Sequence, residues 1–218
     1  MFDYRFIEPE ALDHLSPEEA RPNLADLVRI NRKFGGRSVL VKTLSRAVTS
    51  QDKAITILDV GAGSGDSALV IREFYPRAMV TSLDYNWTNL EKAPRPKLIA
   101  NAFELPFRNE TFDYVLCSSF LHHFADAEVI RLLGGFYGMA KRALAICDLE
   151  RHIVPYLFLP ATKTLFGWNN ITVSDGVKSV RASFRANELR RLATAAGIRN
   201  PDVKVFRPAF RLSMVAKK

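Results

Sequence analysis

Residues 57–66, ILDVGAGSGD, constrain the fold more than any other stretch of the chain. Ile57, Leu58 and Val60 are strand-forming and apolar, and they run directly into Gly61, Gly63 and Gly65. That order reads as a buried parallel strand ending in a turn that exposes its backbone. Helix-compatible residues continue from Ser67 to Phe74, and Pro76 closes them. A strand, a glycine turn and a helix start in that order make a nucleotide cradle, because glycines admit a ligand to the main chain and the first helical N–H groups are free.

The glycine spacing narrows the ligand. A dinucleotide fingerprint is G-x-G-x-x-G and seats a pyrophosphate on the helix N-terminus. This turn is G-x-G-x-G followed by Asp66, and no lysine followed by Ser or Thr makes it a P-loop. Acids at Asp59 and Asp66 repel phosphate and suit a cation. With these residues in place, the stretch resembles motif I of the class I S-adenosylmethionine (SAM) dependent methyltransferases, and the likeness runs from about Leu24 to the C-terminus. The resemblance implies a SAM cofactor, with its sulfonium and amino group beside the acids and glycines.

Length and charge set the remaining bounds. The chain has 218 residues and 48% hydrophobic content, enough for one domain, 1–218, with a sizeable core. No apolar run reaches transmembrane length, and MFDYRF lacks the layout of a signal peptide, so the expected location is cytoplasmic, with no integral membrane association. Cys117 and Cys147 fall in apolar strand-like runs and read as reduced, buried thiols, with no disulfide framework and no metal site. The net charge of +8 admits nucleic acid or an anionic small substrate, but Lys and Arg are spread along the chain and no aromatic-stacking RNA motif accompanies them. A soluble basic surface is the favoured reading; oligomeric state is not readable.

Residues 1–50 read as a helical extension. Ser16, Pro17 and Glu19 form a capping-box start, Pro22 is expected to break that turn, and Leu24, Leu27, Ile30 and Phe34 mark an apolar face. Gly35 and Gly36 end this helix, and residues 39–48 read as a second. Strands are expected at 78–85, 97–100, 112–119 and 143–149, with helices at 67–74, 87–92 and 126–141 between them. This alternation predicts an α/β fold with a parallel sheet covered on both faces and a ligand beyond the strands' carboxyl ends. Residues 151–183 break the rhythm with Pro155, Pro160, Trp168, Asn169 and Asn170, and read as a long irregular insert of functional use. A helix over 186–198 and two strands around Arg207 and Pro208 follow, resembling the hairpin that closes the Rossmann-like seven-stranded methyltransferase sheet. By the same resemblance, residues 1–50 are expected to act either as a lid over the active site or as a packed helical extension, and residues 151–183 as a substrate-side insert.

The resemblance also distributes roles. Asp59, Gly61, Ala62, Gly63 and Gly65 form the cofactor turn. Asp84, about 20 residues after the last glycine, stands where a carboxylate can accept hydrogen bonds from both ribose hydroxyls, and Tyr85 stands beside the adenine. Asn101 replaces the family's usual acid, with a side-chain oxygen that can still accept from the adenine amino group, and the Ala102 N–H serves a ring nitrogen. Cys117 and Ser118 would lie along the methionine part of SAM. His122 and His123 are candidate bases for a phenol, carboxyl or acidic carbon, or else packing residues near the cofactor. Arg151, His152, Tyr156 and Trp168 are the candidate acceptor contacts: Arg151 as a clamp for an anion or else a solvent-exposed arginine at a strand end, and the aromatics, with Phe158 and Phe166, as an apolar pocket wall or else a core-facing helix or a surface that dips into a membrane. Asp175 with Gly176 reads as a turn. No Asn-Pro-Pro-Tyr or Asp-Pro-Pro-Tyr follows the fourth strand, which argues against amino groups of DNA bases and glutamine amides as acceptors.

The function this implies is transfer of a methyl group from SAM to oxygen or carbon of a small, apolar or aromatic acceptor. A weaker likeness, of LVRINRKFGG and VSDGVKSVRASFRANELRRLATAAGI, points to bacterial methyltransferases of polyketide or quinone-like products. An RNA or protein methyltransferase, or a SAM-binding protein without turnover, remains the alternative.

Overall fold

The computed structural model of the chain describes residues 2–48 and 54–218, so the last residues of the expected 1–50 extension lie outside the described residues. Two helices come first, α1 (Pro17–Lys33) and α2 (Gly36–Ala47). The alternating part is β1 (Ile55–Val60), α3 (Asp66–Phe74), β2 (Ala78–Asp84), α4 (Trp87–Leu90), β3 (Lys97–Ile99), β4 (Phe112–Ser118), α5 (Asp126–Met139) and β5 (Ala140–Leu149). The chain closes with α6 (Ile153–Phe166), α7 (Asn170–Ala182), α8 (Ala186–Ala195), β6 (Asp202–Phe206) and β7 (Arg211–Lys217).

The strands form one seven-stranded sheet in the order β3-β2-β1-β4-β5-β7-β6. Pairings are parallel from β3 to β5, while β7 runs antiparallel to both β5 and β6. Ile57, Leu58, Val60, Val115, Leu116, Leu144 and Ile146 are fully buried, as strands covered on both faces require. One apolar cluster packs α5 and α8 on one face, and a second packs α2 and α3 on the other. The chain order reverses beside β1, which places the crevice for a ligand at the carboxyl ends of β1, β2 and β4.

Three expectations are corrected. Pro22 does not break α1: it lies exposed on the helix surface, where solvent can satisfy the carbonyl its ring leaves without a donor. The 151–183 stretch is a helical hairpin, α6 and α7, not an irregular insert. Its polar residues are caps: the His152 ring accepts from Val154 N at 3.2 Å and Asn169 from Ile171 N at 2.8 Å. Asp175 is inside α7, not in a turn, and its carboxylate accepts from the N–H groups of Ala11 (3.0 Å) and Leu12 (3.1 Å).

The helical face of α1 is used in an unexpected sense. Leu24, Leu27, Ile30 and Phe34 line a cavity, while Asn23 and Asp26 are the buried residues that join α1 to the hairpin. Asp26 Oδ2 accepts from Asn169 N at 2.8 Å and from the Thr172 hydroxyl at 3.0 Å, and Oδ1 pairs with Arg29 at 2.8 Å. Removing this carboxylate strands two buried donors. Asp26→Ala is therefore expected to lower the unfolding free energy by about 1–3 kcal/mol, and Asp26→Asn by less; urea denaturation of the three proteins checks the order.

Candidate active site

The cradle is built by backbone geometry at the end of β1. Gly61 takes φ +70°, and a Cβ there would meet the Phe120 ring at 2.4 Å, so this turn and the loop after β4 close on each other without space for a side chain. Gly63 takes φ +52°, and a Cβ there would meet nothing within 4 Å, because it would point into open space. Its N–H donates to Asp84 Oδ2 at 2.9 Å, and Asp84 Oδ1 accepts from Asn86 N at 3.0 Å and Asn89 Nδ2 at 3.3 Å. The carboxylate at the end of β2 is thus fixed against the glycine turn, where a ribose diol would meet it.

Asp59 is 1% exposed, and neither of its carboxylate oxygens has a hydrogen-bond partner among the described residues. Burial, then the charges of Asp84 and Asp66, push its pKa up to about 8. A buried carboxyl without a donor beside an open glycine fits a cationic ligand, and phosphate would meet only repulsion. Ala62, Asp84, Tyr85, Asn101, Ala102 and Ser118 all border the same cavity. The Asn101 side-chain oxygen accepts from Phe103 N at 3.0 Å, so its expected contact with an adenine amino group is shared with a local turn. Cys117 is buried in the sheet and does not border the cavity; like Cys147, it is a free thiol.

Beyond the cradle the cavity continues past a group of charged side chains. His122, 3% exposed, approaches Asp148 Oδ1 through Nδ1 at 2.6 Å, which fixes its tautomer and leaves Nε2 3.9 Å from Glu10 Oε1. His123 Nδ1 lies 3.8 Å from the same Glu10 oxygen, and the two imidazole centroids are 4.4 Å apart. Burial acts to lower the His122 pKa, but the charge and hydrogen bond of Asp148, with the charge of Glu10, outweigh it and raise the pKa above 6.5. Burial likewise acts to raise Asp148, and His122 outweighs it and holds that carboxyl low. Ligand atoms of Glu10, His122 and His123 fall within 4.8 Å of one another, a spacing that a cation can bridge. Glu10 accepts from the Ser179 hydroxyl and His122 is hydrogen-bonded to Asp148, so the group is already engaged in hydrogen bonds without an ion.

Cradle and histidines open into one cavity of about 900 Å³. Its far wall is apolar, formed by Leu24 and Leu27 of α1, Phe34 just after it, Phe158 and Leu159 of α6, and Phe210 before β7. None of the four expected acceptor contacts borders it. Arg151 is 2% exposed and donates to the carbonyls of Phe2 and Ser183, with Glu188 as its ion-pair partner, so it holds the chain start and is not an acceptor clamp. His152 caps α6 and lies against Phe210, with ring centroids 4.8 Å apart. Tyr156 packs on Phe2, and Trp168 is buried against Arg29 and Phe34. An aromatic-rich helix presents only one face to a cavity, and in α6 that face carries Phe158.

Comparison with known proteins agrees with this geometry. Residues 58–142 match the family "Methyltransferase domain". The fold in which this matched segment lies is that of the class I methyltransferases. The chain is 34% identical over 89 residues to the ubiquinone/menaquinone biosynthesis C-methyltransferase UbiE of Desulfotalea psychrophila, a match covering 35% of this chain and 36% of that protein. In structure it is similar to the plantazolicin methyltransferase BpumL in complex with SAH (TM-score 0.68, 16% identity, 92% of this chain and 90% of that one). It is also similar to a SAM-dependent methyltransferase from Aquifex aeolicus (TM-score 0.64, 16% identity, 93% and 98%). Both structural likenesses concern the fold.

Three charged residues at or behind the cavity wall were not singled out from the sequence. Asp148 carries a legible signal, an acid inside the apolar strand ALAICDL, and Arg211 likewise opens an apolar strand. Glu10 carries none, since only the fold brings the chain start over the histidines. The raised pKa of Asp59 has a direct consequence for stability. A group whose folded pKa exceeds its unfolded value contributes stability at low pH that is lost as pH rises through the folded pKa, so Asp59 weakens the fold progressively between about pH 4 and 8. Asp59→Asn is expected to raise the thermal midpoint by a margin that grows from pH 5 to pH 9, at roughly 2–4 °C per kcal/mol recovered; thermal scans at both pH values check it.

Proposed function

We propose that the protein transfers a methyl group from SAM to oxygen or carbon of a small, apolar or aromatic acceptor. The observation that carries this is the continuity of one cavity: a glycine cradle with an unpartnered buried acid at one end, an apolar chamber at the other, and His122 with its Asp148 partner between them. Bound SAM supplies an activated methyl on a sulfonium, so the chain's own task is to align the acceptor and remove its proton. Asp59 and Asp84 favour the cationic end of the cofactor and hold its ribose. Ser118 lies along the methionine part, and Tyr85, Asn101 and Ala102 receive the adenine. His122 Nε2 takes the acceptor's proton, Asp148 stabilises the resulting imidazolium, and Glu10 and His123 lie beside it as the route for that proton outward.

Residues 1–50 serve as the lid. Glu10, Leu24, Leu27 and Phe34 roof the chamber, and α6 and α7 supply its substrate side. The lid also uses the basic charge: Arg185, Arg181 and Arg5 pair with Asp3, Glu8 and Asp126, so the concentration of arginines near α8 meets acids of the chain itself. This supports a small acceptor over nucleic acid. No helix among the described residues is long and apolar enough to cross a membrane. The two buried free thiols support a cytoplasmic location.

Calorimetric titration is expected to show binding of SAM and not of NAD. Gly63→Val should abolish SAM binding while far-UV circular dichroism remains that of the wild type, because the side chain enters the ligand's space. With an acceptor in hand, His122→Ala should lower kcat by about 10²–10⁴ with SAM affinity unchanged. A base must be neutral to act, and Asp148 raises the His122 pKa, so kcat is expected to increase with pH through an inflection above 6.5, which Asp148→Asn moves downward. Retained SAM binding by Gly63→Val, or a kcat insensitive to His122, would remove that residue from its role.

A further inference from the structure

Arg211 is a buried cation with no carboxylate in direct contact among the described residues; the charge of Asp148 acts on it only from a distance. The arginine is 6% exposed and borders the cavity with Phe210 and Phe120. Its guanidinium donates to two neutral groups, Asn31 Oδ1 at 2.9 Å and, at 3.4 Å, the Ser119 hydroxyl. Its Nε has no acceptor among the described residues. Among those residues no carboxylate comes within 4 Å of it, whereas the comparably buried arginine side chains Arg5 and Arg151 have Asp126 and Glu188 as direct partners. A guanidinium does not shed its proton, and a charge taken out of water without a direct counter-charge carries a large desolvation penalty. Such a cation persists at the wall of a cavity where a ligand supplies the missing anion.

Its place in the sheet says which ligand. Arg211 opens β7 opposite Leu149 of β5, three strands from β1 in the sheet order, about 14 Å at the usual strand spacing. The side chain reaches back to Ser119, one residue beyond β4, on the acceptor side of the cradle. Asn31 of α1 holds it from the lid, and Phe210 and Phe34 supply apolar surface beside it. A planar fork of donors next to aromatic walls suits a conjugated oxyanion.

We propose that Arg211 is the anion-binding residue of the acceptor site, and that the acceptor is an aromatic or conjugated molecule whose carboxylate, phenolate or enolate oxygen sits on this guanidinium. This rests on the methyltransferase reading for the word acceptor, but not for the anion site.

The test uses 1-hydroxy-2-naphthoate and its neutral 1-hydroxy-2-naphthamide as probes, titrated calorimetrically into the full chain with and without SAH. The naphthoate is expected to bind at least tenfold more tightly than the amide. Arg211→Met should abolish that preference while leaving amide and SAH affinities unchanged, and Arg211→Lys should keep part of it. Arg211→Met is also expected to melt at a higher temperature than the wild type without ligand. Should Met not be accommodated, Arg211→Gln serves for the same comparison. The naphthoate should raise the wild-type melting temperature more than the amide does. Equal affinity for the two probes, no binding of either, or a preference surviving in Arg211→Met would overturn the proposal. Loss of SAH affinity in that variant would place the guanidinium on the cofactor's carboxylate and overturn it equally. Failure of the wild type to bind SAH, with the naphthoate preference intact, would instead sink the methyltransferase reading and leave the anion site standing.

Discussion

A parallel sheet covered on both faces can offer polar groups to a ligand only where its strands end, and the functional part of this protein follows from that restriction. β1 ends at the glycine turn, β2 at Asp84 and β4 at Ser118, and each borders the cavity, whereas Cys117, one residue earlier on β4, is sealed in the sheet. Asp59 is the exception that shows the tension. It belongs to β1, is as buried as its apolar neighbours, and has no donor to satisfy it. A carboxyl in that position raises its pKa or awaits a cation, and the open Gly63 beside it is where a cation can come.

The roof over those strand ends is tied down by polar atoms more than by apolar packing. Asp26 joins α1 to α7, Asp175 of α7 receives the N–H groups of Ala11 and Leu12, and Arg5 reaches the carbonyls of Ala182, His122 and Phe124. Each bond joins residues distant in sequence. The apolar face of α1 is thereby released from core duty and left to line the chamber. Glu10 is carried by the same connections to within 4 Å of both histidines, so the roof determines the electrostatics of the chamber as well as its shape.

This division explains what could be read from the sequence. The strand positions and the sheet were legible because they follow from local periodicity and the punctuating glycines around residues 57–66. Asp84 was legible because its spacing from the turn is fixed by one helix and one strand. The acceptor contacts were not. Arg151, His152, Tyr156 and Trp168 have the right chemistry, but which face of α6 meets the cavity depends on how the hairpin docks, and that is decided by Asp26 and Thr172. Reading 151–183 as irregular had the same origin: Pro155 lies in the first turn of α6, where proline is tolerated, and Asn169 caps α7, so these two mark helix limits, while Pro160 is carried within α6 on its exposed side.

The charges of the cavity are not mixed but sorted. Asp59, Asp66 and Asp84 gather about the cradle, and Arg211 stands past β4 with no carboxylate in direct contact among the described residues. A cationic cofactor and an anionic acceptor would be drawn to opposite ends, with their reactive atoms facing each other near His122. Transfer of the methyl group turns the sulfonium into a neutral sulfide and leaves the acceptor's proton on His122, while an anion held on Arg211, away from the reacting atom, keeps its charge. The attraction of the acids for the sulfonium is thus absent for the sulfide. On the proposed assignment, the acids favour the cofactor over its product at the cradle, whereas the arginine holds acceptor and product by the same contact.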